Sequence, residues 1–202
     1  MKFALTHAHK RMKEANVISF FFNARGETLE KSTIGTYRSL LLQLLEQFPA
    51  LQSVFDSLNY AGSSVSANYM YQWTVEALQL LLEQAIQNLG TSRVVCFIDA
   101  LDECEEQQIR DMIAFFERIG ELIEPTTVRF QVCFSSRHYP NITIQRGRSL
   151  VLEGQEGHTQ DIANYLNSEL KIGKSKVARQ VRDDLQEKHL EFSCGLYSSL
   201  IY

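Results

Sequence analysis

The stretch that most constrains this chain is Arg93 to Cys104, RVVCFIDALDEC. Val94, Val95, Cys96, Phe97 and Ile98 form an unbroken apolar run, bounded by Gly90-Thr91-Ser92 on one side and by acids on the other. Such a run predicts a strand buried on both faces of a parallel sheet. Asp99 stands at its C-terminal tip, and Asp102 and Glu103 follow within one tight turn. The C-terminal ends of parallel strands are where an α/β sheet binds its ligands. Mg²⁺ keeps several waters and takes one or two protein carboxylates plus phosphate oxygens, so Asp99 alone could anchor it. Asp102 or Glu103 could then orient an attacking water. The alternative is that these acids cap a helix starting near Glu105, where negative charge suits the positive end of the helix dipole.

The remaining elements follow from periodicity. Met1 to Ala15 carries Met1, Ala4, Leu5, Ala8 and Met12 at helical spacing, and Val17 to Phe22 reads as a second buried strand. Thr33 to Phe48 is a helix closed by Pro49, followed by a helix from about Leu51 to Tyr60 and a loop at Ala61–Ser64. A long helix is expected over Tyr69 to Leu89, with Trp73, Leu78, Leu81, Leu82 and Ile86 facing the core and Gly90 as its stop. Glu105 to Ile123 repeats the helical pattern up to Pro125. Arg129 to Phe134 is a third strand, Ser149 to Leu152 a short fourth, and Gly157 to Leu170 and Lys174 to Lys188 are helices. Strands alternating with long helices predict a doubly wound parallel α/β sheet.

That topology would bring three polar clusters to one rim. Asn23 with Arg25, Asp99 with Asp102 and Glu103, and Ser135, Ser136 and Arg137 each follow an apolar strand directly. Acids that hold a metal and a water beside a guanidinium suit a magnesium-bound polyphosphate. Taken singly, Arg137 reads as one end of a surface salt bridge.

Composition narrows the classes. A chain of 202 residues, 45% hydrophobic, can bury one sizeable core. A net charge of -4 offers no basic footprint for nucleic acid. The four cysteines are scattered singly, without zinc spacing or a disulfide frame, which predicts a reducing, cytoplasmic setting. No apolar run is long enough to span a bilayer, and no signal peptide is visible. A serine-hydrolase GxSxG elbow and a strand-linked GxGxxG are both absent from the sequence.

Three segments carry a resemblance. VVCFIDALDEC followed by VCFSSRHYP resembles the Walker B and sensor 1 segments of NACHT-type signal-transducing (STAND, NLR-like) P-loop NTPases, in the nephrocystin-like N-terminal domain group abundant in filamentous fungi. ISFFFNARGETLEKSTIGTYRSLLLQLLEQFP is similar to the second strand and following helices of that group, and LVLEGQEGHTQDIANYL to the stretch after its sensor strand. The resemblance implies a nucleotide-dependent switch that hydrolyses ATP or GTP with Mg²⁺, and protein partners or self-assembly. It implies that Asp99 holds the metal, Asp102 and Glu103 position the water, and Arg137, beside Ser136, senses the γ-phosphate. It divides the chain into an incomplete nucleotide-binding core over 1–156, helices over 157–190 and an atypical tail over 191–202.

The departure from the family is equally specific. The GxxxxGKS/T loop between first strand and first helix is missing, and MKFALTHAHKRM looks like the helix directly after it. Gly173-Lys174-Ser175 does not replace it, because Ser168 stands where the first glycine belongs and a helix precedes it. A chain cut in this way is expected to bind nucleotide poorly or not at all. It also lacks the strand that the family places between the sensor strand and the fourth strand of this chain, so a gap or collapsed edge is expected beside residues 129–134. The tail HLEFSCGLYSSLIY is assigned no function. The alternative function is a pseudo-NTPase or protein-interaction module on the same scaffold.

Overall fold

The computed structural model describes residues 2–12, 14–55, 73–137, 144–151 and 197–201. Helix α1 (Lys2–Arg11) leads into strand β1 (Ala15–Phe21), and helix α2 (Thr33–Gln47) follows. Helix α3 (Val75–Gln87), strand β2 (Arg93–Asp99), helix α4 (Glu106–Ile123) and strands β3 (Arg129–Ser136), β4 (Arg148–Val151) and β5 (Tyr197–Ile201) complete the order. The sheet runs β1-β2-β3-β5-β4.

β2 is the middle of the parallel part. It pairs with β1 from Ala15↔Arg93 to Phe21↔Asp99 and with β3 from Arg93↔Arg129 to Ile98↔Phe134. Alternation along the strands sends Val94, Cys96, Ile98, Phe130, Val132 and Phe134 into the main core. There α2, α3 and α4 pack, through residues such as Tyr37, Leu40, Leu81, Ile86, Met112 and Phe116. The opposite face carries Val95, Phe97 and Cys133, which cluster with Ala8 of α1. Burial on both faces is why the β2 sequence shows no polar alternation.

Where the helices begin and end is set by local chemistry. Ser32 and Thr74 cap α2 and α3 by accepting from Gly35 N and Ala77 N. Glu105 caps α4 with 2.9 Å bonds from Gln107 N and Gln108 N, which hold its carboxyl below the ordinary range. Gly90, at φ +63°, turns the chain out of α3 toward β2. Pro49–Phe55 is a 3-10 stretch rather than the start of an α-helix, and the remainder of the helix expected to Tyr60 lies outside the described residues. The helix expected from Tyr69 starts at Val75 instead. Trp73 lies before the Thr74 cap and is 38% exposed, so it does not face the core as periodicity suggested; it meets Phe55 edge-on, 6.3 Å between centroids.

β1 is an edge strand among the described residues, and α2 covers it. Gln43 places its side-chain amide against Ser19, accepting from Ser19 N and donating to Ser19 O, both at 2.9 Å. Gln47 donates to Val17 O at 3.1 Å. These amides occupy the positions a neighbouring strand would fill, which removes a template for unwanted pairing. Gln43→Leu should cost about 1 kcal/mol, the ordinary net worth of such bonding where water can still reach. Urea titration of the variant checks it, and an unchanged midpoint would show that the amide clamp contributes nothing.

The largest departure from expectation is at the other edge. The parallel sheet of β1, β2 and β3 is present, but the gap expected beside residues 129–134 is filled from Val132 onward. β5 fills that place, antiparallel to β3 from Val132↔Ile201 to Ser136↔Tyr197 and antiparallel to β4 from Arg148↔Leu200 to Val151↔Tyr197. The sheet is therefore mixed, and part of the tail that carried no assignment is structural. The physical reason is the one that predicted the gap: an uncovered β3 would leave main-chain donors and acceptors unpaired beside buried Val132, Cys133 and Phe134. Tyr-Ser-Ser-Leu-Ile is uncharged and free of proline, so it can satisfy them. The helices expected over 157–170 and 174–188 lie outside the described residues. No helix among the described residues is long and apolar enough to cross a membrane.

Candidate functional site

The C-terminal ends of β1, β2 and β3 meet at one rim, as strand polarity requires. Phe22 N donates to Asp99 O at 3.1 Å, tying the end of β1 to the end of β2. After Asp99 the chain reverses through Ala100, whose φ of +59° and ψ of 47° make it the only non-glycine residue in the left-handed region among those described. That conformation costs a non-glycine residue on the order of 1 kcal/mol. It is held by the Asp99 carboxylate, whose Oδ1 accepts from Ala100 N at 3.0 Å, and by Leu101, which is 1% exposed and pins the following 3-10 turn, Leu101–Glu103.

The turn presents Asp102 and Glu103 to the neighbouring strand ends. Asp102 Oδ1 accepts from Arg137 N at 3.1 Å, and its Oδ2 pairs with Arg137 Nε at 3.3 Å. Glu103 Oε1 lies 3.9 Å from an Arg137 terminal nitrogen. Its other oxygen accepts from Ala24 N at 2.7 Å, beyond the end of β1. Neither acid caps α4, because Glu105 does. The carboxylates of this turn are instead cross-links between three strand ends.

Of the residues the sequence singled out, Asp99, Asp102, Glu103 and Arg137 are brought together. Arg25 is not part of the acid cluster; its backbone N–H closes a turn on Asn23 Oδ1 at 3.2 Å. The two serines divide between faces, because neighbours along a strand point opposite ways. Ser135, in phase with Cys133, donates its hydroxyl to Asp99 Oδ1. Ser136, in phase with Phe134, has a buried Oγ with no hydrogen-bond partner among the described residues. Alternation counted back from Phe134 would have assigned Ser135, rather than Ser136, to the Asp99 side. The Ala24 amide has no side-chain signature and could not be found from sequence.

The donor set suits a hard cation held by few protein groups. Asp99 engages the protein through Oδ1, and no group of three or more histidine, cysteine or acidic side chains among the described residues is placed to hold a metal ion. One carboxylate with an adjacent serine is compatible with Mg²⁺, which prefers water and phosphate oxygens for its other ligands. It would not serve zinc.

Cys104 closes the turn, 4.0 Å from Gln108 Oε1. Burial, reinforced by the Glu105 charge, pushes its thiol up to about 11, against backbone N–H bonds that act the other way. The folded state therefore holds the proton that the unfolded state releases near pH 9. This contribution to stability is complete below pH 9 and is lost as pH rises toward 11. Iodoacetamide at pH 8 should label Cys104 far more slowly in the native than in the urea-unfolded chain, read by peptide mass spectrometry. Equal rates would contradict the buried neutral thiol.

A family model described as "Nephrocystin 3, N-terminal" matches residues 1–137, from α1 through β3 and Arg137. Comparison with curated proteins and with solved structures gave no match.

Proposed function

The chain belongs to the nephrocystin-3 N-terminal family, and on that premise we propose that it carries the metal- and phosphate-sensing rim of a NACHT-type nucleotide switch. The observation that carries this reading is the convergence of Asp99, Asp102, Glu103 and Arg137 from two strand ends onto one cross-linked rim. Mg²⁺, when bound, would neutralise charge on the phosphate oxygens of ATP or GTP. Asp99 holds that ion, with Ser135 orienting its carboxylate. Asp102 and Glu103 hold Arg137 in reach of a terminal phosphate and position water. Arg137 is 63% exposed, so its guanidinium is within reach of a phosphate, while Asp102 at 11% exposure keeps its bond from Arg137 N when the guanidinium turns away. That movement would release Glu103 and one oxygen of Asp102 from the guanidinium, coupling the three strand ends to the nucleotide.

The 202 residues contain no GxxxxGKS/T loop after a strand, and that loop supplies most backbone contacts to the β- and γ-phosphates in P-loop enzymes. On this reading these 202 residues bind little nucleotide by themselves, and activity requires a phosphate loop joined to the rim. The test is thermal unfolding with Mg·ATP and Mg·GTP, since a ligand at a hundredfold excess over its dissociation constant adds about 2.7 kcal/mol. These 202 residues should show no shift. A version extended upstream by a strand and phosphate loop should show a Mg²⁺-dependent shift that Asp99→Ala abolishes. A shift indifferent to Asp99 would overturn the assignment.

Arg137→Ala separates the sensing role from a scaffold role. The guanidinium is exposed but its partner Asp102 is only 11% exposed, and the backbone bond to Asp102 survives the change, so stability should fall by about 1–2 kcal/mol. In the extended chain it should reduce discrimination between nucleoside triphosphate and diphosphate. The second reading, an interaction module without turnover, is favoured by the backbone N–H bonds already made by Asp102 and Glu103. It predicts stability losses at these acids and no nucleotide response even in the extended chain.

A further inference from the structure

β5 is inserted against the grain of the sheet. It runs antiparallel to both neighbours, while β1, β2 and β3 run together and β4, two antiparallel steps from β3, points the same way. Among the described residues β4 is bonded to the sheet through β5 alone. Without Tyr197–Ile201, β3 presents a bare edge over residues 132–136, every one of them buried, and faces a parallel β4 across an empty strand position. That position accepts one strand hydrogen-bonded on both sides.

Two further facts bear on what occupies it. Residues 152–196 separate β4 from β5 in the sequence, and a chain of that length spans up to about 150 Å when fully extended. Loop closure grows only slowly more costly with length, so the long connection still favours the cis strand in dilute solution but lets the same strand from another molecule compete for the slot at high concentration. Residues 192–202, FSCGLYSSLIY, contain no charge and no proline, the devices that normally prevent a strand from pairing with a foreign edge. The bonds made are the same whichever copy donates the strand.

We propose that the slot between β3 and β4 is a strand-acceptor site, and that residues 197–201 exchange reciprocally between two copies of this chain. The product is a closed twofold dimer in which each sheet is completed by the partner's strand. The proposal does not depend on nucleotide binding.

The register supplies a test. Cys133 is the partner of Leu200 across the β3–β5 pair. Directly opposed residues in antiparallel strands lie about 4.5–5.5 Å apart Cα to Cα, within the span of a disulfide. The full-length Leu200→Cys chain, refolded at low and at high concentration and then mildly oxidised, should form a disulfide between Cys133 and the introduced thiol, identified by mass spectrometry. It should be intramolecular in the dilute sample and increasingly a covalent dimer in the concentrated one. Adding Cys133→Ser should remove both products. No link at any concentration would show that residues 197–201 do not occupy the slot, and a link that stays intramolecular at high concentration would show that they do not exchange. The unsubstituted chain provides a second measurement: refolded at high concentration, it should sediment as a dimer that persists on dilution. A monomer under those conditions would overturn the proposal.

Discussion

Phe116→Ala is expected to lower the stability of this protein by about 3–5 kcal/mol, the usual cost of removing a buried aromatic ring. Phe116 is 1% exposed and sits where α4 meets the sheet. Its ring lies 5.1 Å from Phe115 and 5.8 Å from Phe134 in edge-on contacts, and it stacks against Phe130 at 6.4 Å with an interplanar angle of 15°. Tyr37 of α2 approaches it at 6.4 Å. Deleting the ring therefore opens a cavity bounded by two helices and β3, and no single neighbour can close it. Aromatic pairs contribute about 0.5–1.5 kcal/mol beyond area burial, which places the loss toward the upper end. Domains hold about 5–15 kcal/mol in total, so much of the native margin is at stake. The melting temperature should fall by roughly 6–20 °C in a chain of this size. Phe116→Leu should recover most of it; a loss below about 1 kcal/mol for the alanine variant would mean that the cluster is not packed as described.

Gly35→Ala is expected to destabilise by about 3 kcal/mol, the upper end of overpacking costs, although helix propensity alone predicts a gain of about 1 kcal/mol. Gly35 lies in the first turn of α2, where a Cβ would come 1.7 Å from Leu29 O and 2.5 Å from Leu29 C. The obstacle is main chain, so no rotamer change relieves it. Either α2 lifts off the preceding 3-10 turn, Thr28–Lys31, or that turn moves, loosening the bond from Asn23 N to Glu30 O near the rim. Denaturant titration decides the sign, and a stabilised variant would show that the turn yields freely.

Periodicity identified β2, β3, α2 and α4 because each has a dense, one-sided or fully buried apolar pattern. Their ends were legible wherever a single residue sets them, as Gly90 and Pro49 do. The pattern misplaced Trp73 because an aromatic residue in helical phase can equally lie just ahead of the cap, and Thr74 rather than phase decides where α3 starts. It misread the stretch after Pro49 because apolar spacing cannot distinguish a 3-10 segment from an α-helix over so few residues. At the rim, strand polarity brought the acids and Arg137 into view, and alternation along β3 already separated Ser135 from Ser136, whereas the Ala24 amide that Glu103 engages leaves no trace in the sequence.

The sequence by itself determined the class of this protein: a parallel β1-β2-β3 core, helices across it, and acids and an arginine at the strand tips. These follow from local patterns, in which each residue's preference is read from neighbours a few positions away. Tertiary structure decided which acid caps α4, which oxygens Arg137 and Ala24 engage, and what fills the edge of β3. Those outcomes are pairings between groups far apart in sequence, 35 residues for Asp102 with Arg137 and 79 for Ala24 with Glu103. A strand such as Tyr197–Ile201 carries no signal of its own destination, because backbone hydrogen bonds are the same to any open edge; the vacancy between β3 and β4 selects it.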